Sequence, residues 1–425
     1  MTTTVAERRH FGGEGVTWSP RRAWMIWGLA ALCYFTALFH RASLAVAAPE
    51  ALDRFSAGPA VLSLFSALQL GVYLALQIPS GVLADRLGPR TVITGGMLAL
   101  AAGSTVFGLS TSLAGGITGR MLIGFGDAFL FTNVLRLAAH WFPANRFGRV
   151  AALTGLIGGL GQLVATTPLS AALHELGWVT TFVTAAALTA ALAVLAAMML
   201  RNRPAGESGA AAEGPPERIG RLLRSVVAQR GTQHSFWVHF VLMAQFVAVS
   251  TLWGSPWLIQ AQGYSSAGAG TMLMLCVVAF LVGSWLSGRY LTGGAHRREK
   301  GTLWLSVAVA ASWAVMIGWP GPLPFGVLLA VLVTIGVGGG GAMLAFDGAR
   351  SANLAHRSGT ASGVVNMGGF LAAVLIQAGV GGVLSALGQL PPQQAYRWAF
   401  VPVLVVIGGG VLGQLVRRTR PVPGS

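Results

Sequence analysis

The chain has 425 residues, of which 54% are hydrophobic and only 9% charged, and a mean hydropathy of +0.67, so its composition excludes an ordinary water-soluble protein. A formal charge of +16 would suit nucleic acid, but the basic residues stand at the ends of apolar runs instead of forming one patch. The two cysteines, Cys33 and Cys276, both fall inside apolar runs, which argues against a disulfide framework or a thiolate metal site.

A hydrocarbon core about 30 Å thick takes roughly 20 apolar residues per helix. Runs of that length recur at residues 24–48, 60–83, 91–111, 114–140, 148–173, 178–200, 235–260, 267–290, 301–319, 323–347, 358–386 and 396–416. They are continuously apolar, which suits helices and excludes a barrel. The expected fold is all-α and integral to the membrane, with twelve transmembrane helices in two six-helix, pseudo-symmetric bundles. Residues 24–200 and 235–416 make the bundles, 201–234 the linker, and 1–23 and 417–425 the tails. Within the linker, Arg218 to Gln229 reads either as an amphipathic surface helix or as a solvated basic connector. Arg21, Arg22, Arg146, Arg149, Arg201, Arg203, Arg297, Arg298, Arg417 and Arg418 cluster on one side of the spans, with Arg54 and Arg397 as exceptions. The positive-inside rule then makes the linker and both termini cytoplasmic, in a cell inner (plasma) membrane. The N-terminal stretch lacks a cleavable apolar segment, and the first span is expected to direct insertion.

An ionised side chain at membrane depth costs at least a few kcal/mol, so each one calls for a partner, a wet cavity or a function. In chain order the candidates are His40 and Arg41 on span one, Arg120, Asp127 and Arg136 on span four, and His239 on span seven, with Asp347 near the end of span ten. Arg41 is permanently charged and can grip a carboxylate or phosphate bidentately, which makes it the leading substrate ligand. Arg120 and Asp127 are seven residues apart, two turns along one face, about 10 Å along the axis. A substrate carboxylate or a water would bridge them, and Asp127 suits the carriage of a proton; alternatively Asp127 is a fixed partner of Arg41 or of another helix and only fastens the bundle. Gln69, Tyr73, Gln77, Asn133, Gln162, Gln245, Trp253, Trp257, Asn366 and Gln377 are polar or amphipathic residues that would either line a cavity or bond helix to helix, and Tyr34, Tyr73, Gln162, Trp253 and Asn366 are the expected substrate contacts beside Arg41. Trp253 and Trp257, one turn apart around Pro256, would form an aromatic wall or an interfacial belt.

The two halves also echo one another: Asn145-Arg146-Phe147-Gly148 is similar to His356-Arg357-Ser358-Gly359, and in that register Arg136 stands opposite Asp347. An inter-half salt bridge between those two, broken on opening, is expected as a gate. The Gly run from Gly336 to Gly341 lies in a span and is expected to let helices pack closely or bend.

Between spans two and three the run from Gly81 to Arg90, GVLADRLGPR, resembles the signature loop of the major facilitator superfamily. There Gly81 would permit close helix approach, and Asp85, Arg86 and Arg90 would latch the cytoplasmic side of the outward-open state. The corresponding run from Gly288 to Leu291 lacks the Asp. Span four, with Arg120, Gly124, Gly126 and Asp127, also resembles the family pattern, whereas Pro168 is displaced from the Gly-Pro pairing of drug:proton antiporters. Tyr34, Phe39, His40, Arg41 and Ser43, followed by Ala47-Ala48-Pro49, look like the anion:cation symporter branch. That resemblance implies alternating access, an anion on Arg41 and a proton on Asp127, with Arg120 adjusting the proton's affinity; the phosphate exchangers' extra base on span seven is matched here only by His239. The expected function is proton-coupled uptake of a carboxylate, sugar acid or organic phosphate by a monomer that needs no cofactor. Proton-driven efflux of a drug or amphipathic metabolite is the alternative, and a non-transporting sensor the third; no nucleophile triad, phosphate-cradling loop or metal cluster suggests an enzyme.

Overall fold

The computed structural model of the chain describes residues 19–56, 58–204, 219–291, 294–354 and 357–418. Apolar runs become helices here because a backbone in hydrocarbon must satisfy its own hydrogen bonds. Their interruptions are local, and the residues that cause most of them can be named.

The first span is α1 (Pro20–Val46), which stops at Ala47 where Pro49 has no N–H to continue the ladder, and restarts as the short α2 (Ala48–Arg54). The second is α3 (Pro59–Ala75), offset at Leu76 ahead of Pro79 and continued by the start of α4 (Gln77–Leu109). That helix turns at Gly88, whose φ of +79° and ψ of 153° give the reversal into the third span. The signature run is therefore nearly all helical, and the second span reaches beyond residue 83. The fourth span is divided into α5 (Leu113–Asp127) and α6 (Phe131–Trp141). The next two are α7 (Ala144–Val164) and α8 (Thr167–Met199), the latter reversing at Gly177 with φ of +75°. A short helix, α9 (Ile219–Val227), lies in the linker and inserts Val226 into the core, as an amphipathic segment should.

The seventh span runs from α10 (Arg230–Ala248) through a π-helical stretch, Val249–Trp253, into α11 (Gly254–Gln260). Pro256 cannot donate to residue 252, and the ladder slips so that the Gly254 N–H reaches the Val249 carbonyl. The rest are α12 (Ser266–Tyr290), α13 (Ala295–Gly318), α14 (Phe325–Gly341) with α15 (Leu344–Ser351), α16 (Ser358–Ala386), and α17 (Pro392–Ala399) with α18 (Val401–Val416). Among the described residues, ten stretches are long and apolar enough to cross a membrane, and Val61–Ala75 is a shorter one. The longest, Arg149–Met199, reverses at Gly177, so the chain accommodates twelve passages.

Spans four and ten break at similar places. The α5–α6 offset follows Gly124 and Gly126, and the α14–α15 offset follows Gly338 to Gly341, two to three residues later than the register of the internal similarity puts it. These glycines also bring backbones together. A Cβ on Gly124 would strike the Gln69 carbonyl, one on Gly126 the Gly96 carbonyl, and one on Gly340 the Phe280 carbonyl. Gly81 has no such role: a Cβ there would meet nothing within 4 Å, and its carbonyl instead accepts from Arg136 at 3.3 Å. Large apolar side chains such as Leu188, Val405 and Leu412 point outward, an arrangement that suits lipid.

Gly124→Ala is expected to destabilise the protein by about 1–3 kcal/mol through overpacking of α5 on α3, whereas Gly28→Ala, with open space around it, should be neutral. Thermal unfolding of the purified proteins compares the two.

Candidate functional site

Among the described residues, the arginines and carboxylates buried in the interior are Arg41, Arg120 and Asp127, with Glu299 near the start of α13. Arg41 lies in the last two turns of α1 and Asp127 at the C-terminal residue of α5. Their side chains meet in a two-pronged contact, Arg41 Nε to Asp127 Oδ2 at 2.6 Å and Nη2 to Oδ1 at 2.9 Å. A carboxylate at a helix C-terminus faces the negative end of the helix dipole, so the guanidinium supplies its chief compensation. The guanidinium carbon also stands 4.5 Å from the Tyr73 ring and 4.8 Å from the Phe370 ring, one from each half of the chain.

Arg120 does not bridge to Asp127 through an open gap. It reaches α1, donating to the His40 carbonyl at 3.4 Å, the Ser43 hydroxyl at 3.3 Å and the Arg41 carbonyl at 3.4 Å, with its guanidinium 5.3 Å from the Phe107 ring. It therefore holds the backbone that carries Arg41. His40 points away, to Thr189 Oγ1 at 2.8 Å, consistent with packing and not with cargo contact.

A cavity of about 40 Å³, space for about three waters, lies between the halves. Its polar wall is Tyr34, Arg41, Tyr73, Gln162, His239 and Asn366, and its apolar wall includes Phe131, Phe246, Phe280, Phe346 and Phe370. Gln69, Gln77, Asn133, Gln245 and Gln377, the other polar candidates, are buried elsewhere, whereas of the expected substrate contacts Tyr34, Arg41, Tyr73, Gln162 and Asn366 stand on this wall. Trp253 does not: it sits in the π-helical stretch, buried, with Nε1 donating to the Gln377 carbonyl at 3.2 Å. Trp257 is also buried, 5.8 Å from the Phe400 ring, so neither residue forms a belt at the lipid interface. Across the halves, Asn366 Nδ2 donates to Tyr73 Oη at 2.9 Å and to Gln77 Oε1 at 3.0 Å, and Ser66 Oγ donates to Gln377 Oε1 at 2.7 Å.

The expected gate pairing is corrected by the geometry. Asp347 is bonded to Arg298 at 2.8 Å, within its own half, and Arg136 donates to the Gly81 carbonyl, also within its own half. Each charge has found a nearer partner than the one across the interface. Arg90 likewise stays in the first half: its guanidinium donates to the Ala197 carbonyl, and its backbone N–H to Asn202 Oδ1 at 2.8 Å. The side chains of Asp85 and Arg86 lie outside the described residues. On this arginine-rich side the halves instead meet through Phe131 and Phe346, 5.5 Å apart, and through Arg350 over the Phe147 ring at 4.4 Å. Sequence reasoning gives no site role to these aromatics and marks His239 only as the one base on span seven; the breaks of spans four and ten, beyond which Phe131 and Phe346 stand, are the signal that points to the aromatics.

The model of the Major Facilitator Superfamily matches residues 30–377, and the chain belongs to that superfamily of membrane transporters. A protein designated a sulfoacetate transporter in Cupriavidus necator is 23% identical over 312 residues, 71% of each chain. One designated a tartrate transporter in Agrobacterium vitis is 25% identical over 189 residues, and one designated an L-galactonate transporter in Escherichia coli is 27% identical over 165 residues. The chain spans only 40% and 36% of the length of those last two. In fold it is similar to a bacterial homolog of the human lysosomal transporter Spinster, with a TM-score of 0.68 at 16% identity, covering 95% of this chain and 100% of that one.

Removing one member of the buried pair strands the other charge, so Asp127→Ala is expected to cost about 3–5 kcal/mol of stability, while Arg41→Met combined with Asp127→Leu should recover most of it. Thermal unfolding of the single and double variants measures this.

Proposed function

We propose that this transporter imports a small organic anion together with a proton by alternating access, with Arg41 as the anion ligand and Asp127 as the proton carrier. The observation that carries the reading is that the guanidinium bounding the central cavity is held from behind by a single carboxylate. While Asp127 is ionised it occupies both prongs of Arg41. A proton on Asp127 removes the competing charge, and the freed guanidinium presents its fork to a carboxylate, sulfonate or phosphate oxygen pair. Arg120 keeps the carrying backbone in place, so the exchange of partners is a side-chain movement.

Tyr34, Tyr73, Gln162 and Asn366 complete the polar lining for the cargo. The Tyr73 and Phe370 rings flank the guanidinium from opposite halves, so an anion arriving there is sensed by both. Delivery to a more basic compartment takes the proton from Asp127, which recaptures Arg41 and displaces the anion. In this reading Asp85, Arg86, Arg90, Arg136 and Asp347 belong to the gate on the arginine-rich side, with Arg90, Arg136 and Asp347 bonded within their own halves. The arginine distribution supports a cytoplasmic placement of that side and of both termini in an inner membrane, with a monomer as the working unit. The relatives designated for sulfoacetate, tartrate and L-galactonate support an organic anion as cargo. The aromatic share of the cavity wall gives some support to the second reading, efflux of an amphipathic acid by the same proton exchange.

In proteoliposomes, each unit of imposed pH difference, acidic outside, should sustain up to about tenfold accumulation of a monoanion carried with one extra proton. Asp127→Asn should keep anion exchange while losing that pH-driven accumulation, and Arg41→Ala should lose both. Accumulation by wild-type protein that ignores the gradient would overturn proton coupling, and accumulation outward would select efflux.

A further inference from the structure

His239 is fully buried on α10, lines the central cavity, and has no hydrogen-bond partner at either ring nitrogen. Its ring stands 5.0 Å from Phe346, edge-on, and 6.5 Å from Phe370, and it is seated over Gly369, where a Cβ would strike Nδ1. Buried polar atoms are almost always bonded, so two orphaned nitrogens in a cavity wall mark a place where something else supplies the partner. An imidazole among aromatic rings offers one donor and one acceptor to a hydroxyl or carbonyl.

The rest of the wall limits that partner further. Among the described lining residues, Arg41 alone carries a fixed charge, so a second anionic group would be buried without a fixed countercharge. Phe131, Phe246, Phe280, Phe346 and Phe370 occupy most of the remaining surface, and a polyhydroxylated chain would leave many of its hydroxyls unbonded against them. An aromatic or branched aliphatic body gains from the same contacts.

We propose that the cargo is a monoanionic acid with a compact apolar body and one neutral hydroxyl or carbonyl, the anionic group held by Arg41 and the neutral polar group read by His239. This rests on the anion reading above and narrows it away from dianions and sugar acids. The cavity as described is smaller than such a molecule, so the walls part to admit the cargo from the opposite side, and it leaves toward the arginine-rich side when Phe131 and Phe346 separate.

The test is ligand binding to purified full-length protein in lipid nanodiscs, at fixed pH, with mandelate, phenylacetate, neutral mandelamide, tartrate, sulfoacetate and galactonate as probes. Mandelate is expected to bind at least about tenfold more tightly than phenylacetate, the worth of one good hydrogen bond, and both more tightly than the polar acids. His239→Phe should bring mandelate down to phenylacetate while leaving phenylacetate unchanged, and His239→Gln should restore part of the preference. Tighter binding of tartrate, sulfoacetate or galactonate than of phenylacetate overturns this proposal and leaves the anion reading standing. Equal binding of mandelamide and mandelate, or anion binding that survives Arg41→Ala, overturns the anion reading as well. Because the wild-type panel ranks the probes unaided, a misfolded variant does not blunt the test.

Discussion

A guanidinium and a carboxylate in the middle of a membrane protein are stable only in each other's company, and the contact between Arg41 and Asp127 fixes much of what surrounds it. It ties α1 to the end of α5, and Arg120 ties the same two helices again through the backbone of residues 40–43. The net interior charge of these three residues is positive. Arg120 is met by carbonyl and hydroxyl oxygens and Asp127 by Arg41, so the one cationic group left facing open space is the guanidinium that the carboxylate can release. In the proposed mechanism the cargo therefore competes with Asp127.

The broken helices make room for this arrangement. A carboxylate at a helix end can turn toward a neighbour more freely than one held inside a continuous turn, and α5 ends at Asp127 itself. The glycines before it let α5 lie against the backbones of α3 and α4, which leaves no slack for the pair to drift. The corresponding break in span ten has glycines but no buried charge, and beyond it Phe346 meets Phe131 of the first half. One repeat thus supplies the ionic chemistry, and the other supplies aromatic surface and His239.

The membrane spans, the signature run and the depth of Arg41, Asp127 and Arg120 were legible in the sequence because hydrocarbon penalises polar groups, and the few that occur stand out. Partner choice was less legible. Arg136 and Asp347 align by internal similarity, yet alignment says nothing about Arg298, which reaches over from the first turn of α13 and takes Asp347. The assignment of a packing role to Gly81 failed for a related reason: a glycine reports close approach only if a neighbour is present, and none is. Trp253 was misplaced because the π-helical slip ahead of Pro256 turns the ring from the expected face. The Phe residues of the cavity wall carry no mark distinguishing them from lipid-facing Phe, since both are apolar residues in apolar runs.

The ion pair lies wholly within the first half of the chain, and this separates two tasks that a transporter must perform together. The hydrogen bonds across the halves near the cavity join neutral groups, Ser66 to Gln377 and Asn366 to Tyr73 and Gln77, each worth roughly 0.5–1.5 kcal/mol net. Rocking the halves apart breaks contacts of that size and leaves the pair intact, so access can change without stranding a buried charge. In the proposed mechanism protonation and anion binding act on the pair instead. The link between the two events is then the guanidinium itself, which rests on Tyr73 from one half and Phe370 from the other, two rings that touch at 4.4 Å. Under that proposal a change of partner from Asp127 to an anion moves the charge against this ring pair, and the balance of the neutral contacts around it is set by which partner it holds.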